Sequence, residues 1–74
     1  MQYDYTRLKG RIVEKFSTQA RFARAMEMSE RSMSLKMKGK RPWKQEEISR
    51  ACEILAIEDG EIPVYFFTVK VQRN

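Results

Sequence analysis

Seventy-four residues make a single domain, 1–74, close to the lower limit at which one core holds a chain together without disulfides or metal. One cysteine and no histidine exclude an internal disulfide and a Cys/His zinc cluster, so neither metal nor cofactor is expected. A net charge of +5 with 34% charged residues is the composition of a soluble protein, and the longest apolar run, Val64-Tyr-Phe-Phe67, is far too short to cross a bilayer. The N-terminus lacks the basic-then-apolar pattern of an export signal, and a reducing cytoplasm is the expected location, with no membrane contact.

The elements, taken in chain order, are nearly all helical. Asp4 caps a first helix whose apolar residues Tyr5, Leu8, Ile12 and Phe16 fall on one side, with Tyr3 placed to staple onto Leu8. Gly10 inside it costs roughly 1 kcal/mol against alanine, so it either permits a close helix contact or is a weak spot. A second helix opens at Thr18-Gln19 and buries Phe22, Ala23 and Met26. A third is capped by Ser29, with Met28 and Met33 at the staple positions. Only Glu27, Met28 and Ser29 separate the two, which is the spacing of a helix-turn-helix.

A fourth helix follows Pro42, begins near Lys44 or Gln45 and buries Ile48, Ala51, Cys52 and Leu55, with Glu46 and Glu47 suited to the dipole of its first turn. Pro63 fits the first turn of a last short helix over residues 62–67. The closing "TVKVQRN" alternates like a short extended strand or a frayed tail. The fold class is all-α, five helices in one compact unit.

Charge is distributed by segment. Residues 31–44 carry six basic side chains and no acid, whereas residues 45–62 carry six acids and only Arg50. Such a block is the footprint of a polyanion binder or simply a solvated face. Placing residues at about 100° steps on the third helix sharpens the question. Met33 and Met37 define its buried direction. Leu35 lies most nearly opposite, flanked by Arg31 and Lys38 with Ser32 and Ser34 nearby. A helix with that outward face suits the DNA major groove, where arginine pairs with guanine, serine with base or phosphate, and an apolar side chain meets a thymine methyl.

The stretches "TQARFARAMEMSERSMSLKMKGK", "RPWKQEEISRACEILAI" and "EIPVYFF" together resemble the Cro-like, lambda-repressor-like (Xre-type) helix-turn-helix regulators, in particular the small phage and prophage members. The resemblance implies a five-helix DNA-binding domain whose third helix enters the major groove. By matching positions, Glu30, Arg31, Ser34 and Leu35 would read bases, while Gln19, Ser32, Lys36, Lys38 and Lys40 would contact the backbone. It also implies a repressor of transcription acting on double-stranded DNA, a homodimer forming there on paired half-sites. Where the family usually has glycine in the turn, this chain has Glu27, which would then stand in a left-handed conformation at a cost of roughly 1–2 kcal/mol. Glu30 stands where glutamine is common and would accept from cytosine N4.

Other residues read more plainly. The internal methionines are adaptable core filler, Cys52 is a small core residue, and Trp43 covers the core between the third and fourth helices. With no histidine, no glycine-rich phosphate loop and no nucleophile beside a base, an enzyme is not expected. In the C-terminal segment, Ile62 and at least one aromatic would close the core, leaving Phe67, Val69 and Val71 for a two-fold contact. A second function stays open: a protein-interaction module on the same fold, in which the exposed Leu35 and its basic neighbours dock on another phage repressor, as antirepressor or co-repressor.

Overall fold

The computed structural model describes residues 2–71; Met1 and the last three positions of "TVKVQRN" lie outside the described residues. Five α-helices follow one another: α1 Thr6–Phe16, α2 Gln19–Ala25, α3 Glu30–Met37, α4 Gln45–Leu55 and α5 Ile62–Phe66, with a 3-10 turn at Asp59–Glu61 leading into α5. The expected all-α, five-helix architecture is what the chain forms.

Each start has the chemistry that its sequence offers. At α1 the capping position falls on Tyr5 rather than the expected Asp4, which lies one residue further out and accepts the Thr6 N–H on Oδ1 at 2.8 Å. Thr18 Oγ1 accepts from Arg21 N–H and Ser29 Oγ from Ser32 N–H, both at 3.1 Å, so each hydroxyl satisfies one orphan donor of α2 and of α3. At α4 the reach is reversed: Glu47 Oε1 turns back to accept the Lys44 N–H at 2.8 Å. Inside these caps the apolar stripes converge. Leu8 and Ile12 of α1, Phe22, Ala23 and Met26 around α2, Met33 of α3, Ala51, Cys52 and Leu55 of α4, then Ile57 and Phe66 make one continuous core. Trp43 packs against it, its ring edge-on to Phe66 with centroids 5.2 Å apart, and Ile62 closes it at the side. Burial raises the Cys52 thiol above its ordinary value, with Asp59 adding to the effect, as suits an inert core residue.

Three helix ends share one geometry. At the end of α2, Met28 N–H donates to Ala23 O and Glu27 N–H to Arg24 O. After α3, Lys40 N–H donates to Leu35 O and Gly39 N–H to Lys36 O. After α4, Ile57 N–H donates to Cys52 O and Ala56 N–H to Glu53 O. Each is a Schellman motif, which needs a left-handed residue just past the helix. Glu27, Gly39 and Ala56 take that place with φ of 58°, 76° and 55°. The left-handed backbone expected of Glu27 is therefore present. Arg50 Nη1 reaches the Met26 carbonyl at 3.3 Å and the Glu27 carboxylate at 3.5 Å, which holds the turn from the α4 side.

The termini meet. Tyr3 and Val69 form one antiparallel rung, flanked by Asp4 N–H to Thr68 O at 2.7 Å and Lys70 N–H to Gln2 O at 2.8 Å. The extended reading of the tail holds as far as these residues. Tyr3, expected to staple onto Leu8, is instead edge-on to Phe67 with centroids 5.7 Å apart.

One residue of α3 departs from its expected role. Lys36, assigned above to a DNA backbone, is buried, with 3% of its surface exposed. Its ammonium donates to the Pro42 carbonyl at 3.0 Å and pairs with Glu47 Oε1 at 2.7 Å. The reason is geometric: Lys36 and Met37 lie about 60° and 40° to either side of Met33, so both flank the buried direction. Burial pushes the Glu47 carboxyl upward, but the hydrogen bonds from Lys36 and from the Lys44 N–H, with the charges of both lysines, bring it below its ordinary 4.5.

Three stability measurements check these points. A Cβ on Gly10 would meet nothing within 4 Å, so no close helix contact depends on it. Gly10→Ala should therefore stabilise the chain by roughly 1 kcal/mol, raising Tm by about 4–8 °C. Glu27→Gly relieves the left-handed strain at some cost in unfolded-chain entropy, for a net gain of about 0.5–1 kcal/mol in urea denaturation; a loss would show that the Arg50 contact matters more than the backbone. Glu47→Ala strands the Lys36 ammonium on the Pro42 carbonyl alone and should cost about 2–4 kcal/mol at neutral pH, somewhat under the fully buried case because Glu47 is 21% exposed. A carboxyl whose folded pKa is depressed stabilises above its unfolded value and loses that contribution as pH falls through the folded one. The wild type should thus lose stability between neutral pH and the range below 4.5, while Glu47→Ala is flatter across the same interval.

Candidate interaction surface

The residues singled out on the sequence for DNA lie on α3, just past its end and at the start of α2. On α3, Glu30 and Arg31 are exposed, Ser34 and Leu35 are half-buried, and Lys38 and Lys40 past its end are exposed. Leu35, expected to face straight outward, keeps only part of its surface in solvent. Ser32 Oγ accepts from Arg41 Nη1 at 3.0 Å, which ties one of the basic side chains of residues 31–44 back onto α3.

Gln19, Ser34 and Lys38 do come together. They line a groove of about 500 Å³ whose other wall is the N-terminal segment with Tyr3, Asp4 and Tyr5, closed by Lys9 of α1, Met37 of α3 and Lys70 of the tail. Lys9 and Lys70 carry no motif. Their only sequence signal is their sign, and the groove they share appears once the termini pair. Glu30 lies elsewhere, in a shallow hollow with Thr18, Arg21, Arg24 and Met28. Lys40 borders a third, of about 250 Å³, with Tyr3, Tyr5, Trp43 and Phe67. The Trp43 indole N–H lies buried there with no hydrogen-bond partner among the described residues.

Electrostatics favour the groove as a contact surface. The Thr6 hydrogen bonds and the Lys70 charge hold the Asp4 carboxyl below its ordinary value, so Asp4 stays ionised there. Against its one negative charge stand the three ammonium groups of Lys9, Lys38 and Lys70, none of which forms an ion pair among the described residues. Apolar surface adjoins it. Tyr3, Phe67 and Val69 are 37%, 46% and 49% exposed, and Val71 80%, so the residues expected to make a two-fold contact are accessible, with Phe67 and Val69 tied to Tyr3. Among the described residues there is no cluster of three or more potential metal ligands and no helix long and apolar enough to cross a membrane.

Comparison with known proteins changes what these surfaces mean. No curated protein matches the chain. Among solved structures, the solution structure of the modulator of repression (MOR) of the temperate bacteriophage TP901-1 from Lactococcus lactis is 49% identical, covers 97% of each chain and superposes with a TM-score of 0.81. The expectation that this chain is itself a sequence-specific, DNA-reading repressor is corrected by that likeness. Half of its residues and its whole fold are shared with a protein whose part in repression is to modulate it. Of the residues assigned to a DNA backbone, Lys36 is spent inside the fold. The family model described as a protein of unknown function (DUF739) matches residues 1–69, and the chain belongs to that family.

Proposed function

We propose that this chain regulates a temperate phage or prophage by contacting a repressor protein and altering its action, without reading DNA on its own. The observation that carries this is the 49% identity over 97% of both chains to a modulator of repression. The physical features agree: exposed basic groups around a groove and partly exposed apolar side chains beside them. The likeness to Cro-like helix-turn-helix domains is then one of architecture, a fold that presents side chains to a protein as readily as to a base pair. In this reading the chain carries no reaction, needs no cofactor, and works in the cytoplasm where its partner meets DNA. Phe67, Val69 and Val71 are available to protein contacts.

A mobility-shift titration of a phage operator tests it. The chain alone should leave the operator unshifted at micromolar concentration and physiological salt. Added to the cognate repressor, it should change the repressor's own shift at near-stoichiometric ratios. A specific shift by the chain alone, tighter than its shift of random duplex by the thousandfold or more typical of specific sites, would overturn the proposal.

A further inference from the structure

Resting on that reading, we propose that the groove between the N-terminal segment and α3 is the docking site for an acidic, partly apolar segment of the partner protein. Three lysines line it from three separate parts of the chain: Lys9 from α1, Lys38 from the end of α3, and Lys70 from the tail that pairs with residues 2–4. None forms an ion pair within 4 Å among the described residues, and the single carboxylate present, Asp4, which lies in the field of Lys70, leaves the groove with an excess of positive charge. The apolar part of the lining is Tyr3 and Tyr5, with ring centroids 6.5 Å apart, and the half-buried Met37, while Gln2, Thr6, Gln19 and Ser34 add neutral polar groups.

That mixture selects the occupant. Lysines offer point charges without the planar fork that picks out one carboxylate, so they favour a run of acids over a single one. Aromatic rings and a thioether accommodate varied apolar side chains. A peptide in which Asp or Glu alternates with apolar residues uses both halves of the lining, whereas a phosphodiester backbone leaves Tyr3, Tyr5 and Met37 without a counterpart. The volume, about 500 Å³, accommodates a few side chains, as expected of a short anchoring segment within a larger contact. Attraction between exposed charges is screened by salt, so binding through this groove weakens as ionic strength rises.

The test uses the full chain, labelled with nitrogen-15, and three probes: a decapeptide alternating Glu with Leu and Phe, the same peptide with Gln for Glu, and a short random DNA duplex. The acidic peptide should shift the amides of Tyr3, Thr6, Lys9, Gln19, Ser34, Lys38 and Lys70. The triple variant Lys9→Gln/Lys38→Gln/Lys70→Gln should weaken it about tenfold while keeping the wild-type helical signal, and Lys15→Gln, outside the groove, should leave it unchanged. Equal binding of the Gln peptide, shifts spread evenly over all basic residues, or tighter binding of the duplex at the same amides would overturn the proposal. So would shifts at those amides on concentrating the protein alone, which would place a second copy's acidic segment there. The triple variant also enters the repressor mobility shift. If it acts on the repressor as the wild type does, the groove is wrong and the proposed function stands; if the wild type itself has no effect, the proposed function falls.

Discussion

The ammonium of Lys36 is the constraint on which the position of α3 depends. It joins three stretches that otherwise meet only through the non-directional packing of the core: the last full turn of α3, the Pro42 carbonyl in the connection, and Glu47 in the first turn of α4. Burying an ammonium costs several kcal/mol unless its partners are well placed, and here a carboxylate at 2.7 Å and a carbonyl at 3.0 Å supply them. Glu47 also accepts the Lys44 N–H, so one carboxylate caps α4 and neutralises α3. An apolar residue at position 36 would fill the same space with less loss of hydration, but it would leave the two helices free to slide along a greasy contact. The ion pair has one geometry, and it fixes where Ser34, Met37 and Lys38 come to lie along the groove.

Arginines play a matching part at the helix ends. Arg11 of α1 donates from Nε to Leu55 O at 2.9 Å and from Nη2 to Ala56 O at 3.0 Å, closing the carbonyl end of α4, as Arg50 of α4 does for α2. Each cation sits on a terminus whose dipole attracts it, and each ties two helices that are distant in sequence. Lys36, Arg11 and Arg50, three of the fifteen basic side chains, are in this way committed to the fold.

That commitment explains what could be read from the sequence and what could not. Helix positions followed from periodicity, because burial of Leu8 and Ile12, or of Ala51, Cys52 and Leu55, imposes a spacing that any helix must show. Caps at Thr18 and Ser29 followed from side chains with one obvious use. The ends were harder. The same left-handed position falls on Gly39, where glycine advertises it, but also on Glu27 and Ala56, where neighbouring hydrogen bonds impose a conformation the residue does not prefer. Only the likeness to a known turn gave a reason to look at Glu27, and nothing marked Ala56. Lys36 was legible in principle, since it stands beside Met33 on the helical wheel and an acid waits in the next helix. Its charge argued for solvent, and the angle argued for the core; the angle prevailed because Glu47 was there to meet it.

The site eluded the sequence for a different reason. A charge run is a one-dimensional pattern, and residues 31–44 drew attention because their basic side chains are adjacent along the chain. Folding redistributes them: Lys36 goes inward, Arg41 to Ser32, Lys38 to one groove and Lys40 to another hollow. The surface that does collect unpaired charge draws one lysine from that run and two from far outside it, brought together by the rung between Tyr3 and Val69. A groove built from both termini and α3 exists only while those segments stay paired, and a single rung with two flanking hydrogen bonds is a modest restraint, each bond contributing on the order of 1 kcal/mol. The contact between Tyr3 and Phe67 adds to that restraint without completing it. A partner segment that engages Lys70 and Tyr3 at once would hold the two terminal segments together, so the surface and its occupant would stabilise each other, which neither the basic run nor the helix-turn-helix pattern describes.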